Sequence, residues 1–148
     1  MRAIRANCFG GIQSSSEPDV PIFAAMLRSA LGDRLGQSAT FPAMLAENVE
    51  IEHPYAPDGP LRIVGRAALV AHMRDALARF TVEHAATQHV YHCEPRGTVI
   101  VEFDLVGHRL PSGKEYKQQC VGIIETNGGR ITRFREYWNP LNFQPESS

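Results

Sequence analysis

Glu136 is the residue of this sequence best placed to do chemistry. It stands in Phe134-Arg135-Glu136-Tyr137-Trp138, within a stretch that a turn at Asn127-Gly128-Gly129 opens and Pro140 closes. The stretch is rich in β-branched and aromatic residues and reads as a last strand. Strict alternation puts Thr132, Phe134, Glu136 and Trp138 on one face and Ile131, Arg133, Arg135 and Tyr137 on the other. With the aromatic face inward, Glu136 lies between two rings, each about 6.6 Å away along the strand. Burial disfavours a charged carboxylate and raises its pKa, which is how catalytic acids and bases are tuned. The structural alternative is an ion pair with Arg133 or with an arginine of a neighbouring strand. The opposite register would bury two cations.

A second candidate is His72. The helix expected at residues 65–79 has an apolar stripe of Leu69, Met73, Ala76 and Leu77 that Phe80 continues at helical spacing, and His72 lies at its edge. On spacing alone it is a boundary histidine.

The elements that must position these two residues follow from periodicity. Residues 1–18 lack it and read as a flexible arm, leaving 19–148 as one domain. Asp19 is a candidate N-cap for a helix running to Gly32, and Thr40 for a short second helix through Phe41, Met44 and Leu45. Residues 49–53 alternate as a strand that ends at Pro54, and residues 61–64 form a short strand. Three long strands, near residues 83–93, 98–110 and 116–125, precede the last one. Tight turns between them imply an antiparallel meander, and helices before strands imply an α+β fold.

Composition narrows the function classes. The chain has 148 residues, 43% hydrophobic and 21% charged, as an ordinary globular domain does. A net charge of -1 gives no electrostatic case for nucleic acid or an anionic membrane as partner. No apolar run approaches the ~18 residues of a membrane span. Cys8, Cys93 and Cys120 are odd in number and far apart, which suggests reduced thiols in a cytoplasmic protein.

Two motifs fail on geometry. The run from Gly107 to Lys114 has one residue too many between its glycines for a phosphate loop, and its context is strand-turn-strand. His84 and His92 share a strand face but lie roughly 26 Å apart, and His89 faces away, so the three cannot converge on a metal.

The element order, with Gly65 and His72 seven residues on, Val101-Glu102-Phe103-Asp104, and the closing run from Gly129 to Asn139-Pro140, resembles the SnoaL-like group. This group shares its fold with ketosteroid isomerase and nuclear transport factor 2, and the likeness is greatest to the phenazine biosynthesis A/B proteins. The resemblance implies a cystatin-like cone: three N-terminal helices on a strongly curved antiparallel sheet that encloses a pocket. It also implies that a helix histidine and a last-strand glutamate, here His72 and Glu136, act as acid/base groups, with no metal or redox cofactor. Where those proteins have a further arginine suited to a substrate carboxylate, this chain reads Gly36-Gln37.

The expectation is therefore cofactor-independent isomerisation, cyclisation or imine condensation of a small cyclic or carbonyl metabolite. Phe134, Trp138, Phe103 and Tyr91 would line the pocket, and the outer sheet face would pair in a homodimer. A non-catalytic ligand-binding or dimerisation module of the same fold is the alternative. Convergence of Glu136 and His72 on one cavity would separate the two.

Overall fold

The computed structural model describes residues 17–94 and 97–143. The expected arm therefore lies outside the described residues, save Glu17 and Pro18. Helix α1 spans Pro21–Leu31 and helix α2 spans Arg66–Arg79. Six strands follow in chain order as β1 Leu45–His53, β2 Leu61–Val64, β3 His84–Cys93, β4 Thr98–His108, β5 Glu115–Asn127 and β6 Arg130–Trp138. They form one sheet in the order β2-β1-β6-β5-β4-β3.

The expected meander is β3 to β6, antiparallel throughout. The sheet as a whole is mixed, however, because β1 lies parallel to β6. A wholly antiparallel sheet was the wrong expectation. The first long strand pairs with the last, across a chain separation that no local turn signal reports.

Two α-helices are present among the described residues, where three were expected. Thr40 accepts from the Ala43 amide at 3.2 Å but is not the N-cap, a position that Phe41 holds, and only a single 3-10 turn follows, Pro42–Met44. Leu45 is already extended and pairs with Ile131, so the sheet takes the chain before a helix can propagate. Asp19 is not the N-cap of α1 either. Val20 holds that position, Pro21 supplies the first-turn φ, and Asp19 accepts from the Phe41 amide at 2.9 Å. The Gly32 stop stands, at φ 55°.

Bulges in β6 and β3 set which of their side chains face inward, and β1 also shifts register against β6 between Leu45 and Glu50. Thr132 is an extra residue in β6: Arg133 pairs with Glu125, yet Ile131 pairs with Thr126. Ile131 consequently shares the core face with Phe134, and both are buried. Strict alternation had put Ile131 with the arginines. Gln88 plays the same part in β3, between Thr87 and His89.

Both helices cover the same face of the sheet, α1 against β3 and α2 against β1 and β2. The core between them holds Leu27, Leu31, Val49, Val99, Val101, Phe103, Ile124 and Phe134. Gly122 faces inward opposite Glu136, and a Cβ there would stand 3.2 Å from the Phe134 ring. Glycine thus lets that ring lie across β5.

Candidate active site

A cavity of about 180 Å³ opens between α2 and the inner face of β1 and β6. Its walls are almost wholly apolar, with Ile51, Leu69, Met73, Leu105 and Phe134 among them. Among the described residues, the polar side chains lining it are Glu136, His72 and His53. Each is delivered by one periodicity. Glu136 follows Phe134 by two residues on β6, and His72 lies next to Met73 and one turn after Leu69 on α2. His53 continues the inward series Val49, Ile51 on β1.

The three sit together. His53 Nε2 is 3.8 Å from Glu136 Oε2, and the His53 and His72 rings are 5.9 Å apart, centroid to centroid. Trp138 meets His53 edge-on at 4.8 Å. Only 17% of the Glu136 side chain and 14% of the His53 side chain remain exposed, so both groups are largely stripped of water.

Burial decides the charge states. It pushes the Glu136 carboxyl up to about 7, and a hydrogen bond from the Cys120 thiol draws it back only in part. Burial likewise pushes His53 down to about 4, with His72 adding to the effect. His72 is also lowered, first by burial, then by Arg79, against the pull of Asp75. Cys120 is itself pushed up by burial, so it is a thiol and a donor rather than a nucleophile. In the Glu136–His53 pair the proton therefore belongs to the carboxyl, and both imidazoles are neutral at neutral pH.

The ion-pair alternative for Glu136 falls away. Arg133 and Arg135 point to the outer face, where both hold Glu52. Arg133 donates to Glu52 Oε1 at 2.7 and 3.1 Å, and Arg135 Nε to Oε2 at 3.1 Å.

Of the four aromatic residues expected to line the pocket, the structure places Phe134 in the cavity wall. Phe103 is sealed in the core, 5.8 Å from the Phe23 ring. Tyr91 is 48% exposed, because its partner Ile100 belongs to the outer face of β4. Trp138 backs His53 rather than the cavity itself. The residue missed from sequence is His53. Its parity with Val49 and Ile51 was a usable signal, but the strand was expected to do no more there than end at Pro54.

No group of three His, Cys, Asp or Glu side chains that could hold a metal ion occurs among the described residues. No helix among them is long and apolar enough to cross a membrane.

A single sheet with helices over one face is a fold shared with solved nuclear transport factor 2-like structures. The chain belongs to the SnoaL-like domain family, which it matches over residues 28–134. It is 42% identical over 96 residues to the uncharacterized protein YesE of Bacillus subtilis, covering 64% of this chain and 65% of that one. An uncharacterized PhzA/B-like protein of Pseudomonas aeruginosa is 35% identical over 92 residues, with 62% and 64% covered. The match thus spans slightly under two thirds of either relative's length. A solved Bacillus subtilis protein, provisionally called an isomerase, superposes with a TM-score of 0.67 at 34% identity, over 82% of this chain and 85% of that one.

Proposed function

We propose that this protein catalyses cofactor-independent acid/base chemistry on a small cyclic or carbonyl-containing metabolite held in the cavity. Isomerisation, cyclisation and imine condensation all need the same two acts: a proton moved at carbon or nitrogen, and an oxygen held as charge develops on it. The observation that carries the reading is a single one. Glu136 is a carboxyl poised near pH 7 in an apolar cavity, able to take a proton or to give one. His72 and His53, held neutral beside it, each retain an N–H that can donate to a substrate oxygen. The likeness to a provisional isomerase and to PhzA/B-like proteins agrees with this chemistry.

The test is hydrogen–deuterium exchange at the carbon next to the carbonyl, followed by NMR in heavy water over a panel of small cyclic ketones. Catalysed exchange is expected, and Glu136→Gln should slow it by about 10²–10⁴-fold. Binding of the same ketones without any catalysed exchange would favour a non-catalytic ligand-binding module instead.

The outer sheet face, where Ile100, Val121, Ile123 and Tyr137 are each half-buried in the single chain, is proposed as the surface of a homodimer. Light scattering at micromolar concentration should then give twice the chain mass.

A further inference from the structure

The cavity wall itself carries no fixed positive charge. Among the described residues that line it, none is lysine or arginine. The arginines of β6, Arg133 and Arg135, leave that strand on the opposite face and are both committed to Glu52, while Arg79 and Asp75 of α2, outside the lining, act on His72 with opposite signs. The polar end of the cavity holds one carboxyl and two imidazoles, with 3.8 Å between Glu136 and His53. We propose, building on the reading of this cavity as the substrate site, that it selects by charge. It admits an uncharged molecule with one hydrogen-bonding oxygen and rejects carboxylates.

The physical reason is desolvation. A carboxylate that enters an apolar cavity loses its water and must be repaid by a cation or by several donors. Here it meets imidazoles kept neutral by burial and a glutamate that turns negative as pH rises through about 7. An amide or ketone oxygen needs only one or two donors, and the neutral N–H groups of His53 and His72 can supply them. The volume, about 180 Å³, falls below the roughly 300–1,000 Å³ of drug-sized sites, so the guest is a one- or two-ring molecule. Aliphatic and aromatic walls would take its hydrocarbon part.

Benzamide and benzoate test this directly, since they have the same shape and differ in charge. Their dissociation constants are measured by NMR titration of the intact protein at about pH 6 and about pH 8. Benzamide should bind at least about tenfold more tightly than benzoate at the higher pH, with a smaller gap at the lower one, where Glu136 holds its proton. Glu136→Gln should shrink the pH dependence of the gap to the part that benzoate's own protonation contributes. Leu77→Arg, on the half-buried cavity side of α2, should bring benzoate up to benzamide or beyond. Benzoate binding as tightly as benzamide to the unaltered protein at about pH 8 overturns charge selection and leaves the cavity standing as the site. Failure of both probes, with no shift of any cavity resonance, overturns the cavity reading and the selection together.

Discussion

Glu52 and Glu136 lie on the neighbouring strands β1 and β6, on opposite faces of one sheet. By exposure they are alike, 21% and 17% of each side chain. Their chemistry is opposite. Glu52 is covered by the heads of Arg133 and Arg135, whose hydrogen bonds hold its carboxyl below the usual range. Glu136 is covered by hydrocarbon and by neutral imidazoles, which hold its carboxyl up near 7. Shielding alone says little about a carboxylate; what does the shielding decides whether it becomes a structural anion or a proton carrier. One strand supplies both environments because it sends arginines to one face and aromatic rings to the other.

The comparison can be broken most forcefully at Phe134, which walls the cavity and anchors the inner face. Phe134→Ala should cost about 3–5 kcal/mol and lower the melting midpoint, because the ring is buried against Phe23 and Phe41 and little can collapse into its space. A melting midpoint within a degree or two of the parent would show that the inner face is not packed as described.

Removing each carboxylate in turn sharpens the contrast. Keeping the Glu136 proton from the ordinary 4.5 up to about 7 corresponds to about 3 kcal/mol against the ionised folded state. Between those two pH values the unfolded chain has released the proton and the folded chain has not, so this group lowers stability as pH rises through the window and levels off above it. His53 acts the other way. Between about 6.5 and about 4 the unfolded imidazole binds a proton that the folded one refuses, so its contribution is lost as pH falls. The two slopes nearly cancel in the parent. Glu136→Gln should therefore be stabilising by up to about 3 kcal/mol at about pH 8 and neutral near pH 4, leaving a net slope that rises with pH. Chemical denaturation across that range checks it, and a loss of stability at pH 8 would mean that Glu136 has a cationic partner after all.

Glu52→Gln should do the reverse on a smaller scale. The guanidinium groups it leaves are 39% and 31% exposed and can turn to water, so the loss should be about 1 kcal/mol and should shrink in high salt. An unchanged midpoint at low salt would show that the outer ion-pair cluster contributes nothing.

The inner and outer faces were legible in the sequence to different depths. Phe134, Glu136 and Trp138 could be read as one face because alternation holds locally from Arg133 onward. Ile131 could not, because the bulge at Thr132 that turns it inward leaves no mark in residue type. His72 came from the helical stripe of α2. His53 was readable by parity but carried no motif, and the ring spacing that makes it part of the site depends on β1 lying beside β6. That pairing joins residues some eighty positions apart, as Glu52 and Arg135 show, and no local pattern encodes it. The short second helix failed for the same reason: pairing of Leu45 with Ile131 outweighed its helical spacing. The aromatic character of Tyr91 suggests a cavity residue, whereas its face is set by pairing with Ile100 across a bulged strand.

The central claim is that Glu136 holds its proton near neutrality in the resting protein. Carbon-13 labelling of the glutamate side-chain carboxyls, with Glu136→Gln to identify the resonance, gives its titration directly. A midpoint near 7 is the expected result. A midpoint at or below the ~4.3 of a free glutamate would place Glu136 beside water or a cation and remove it from the chemistry proposed for this site.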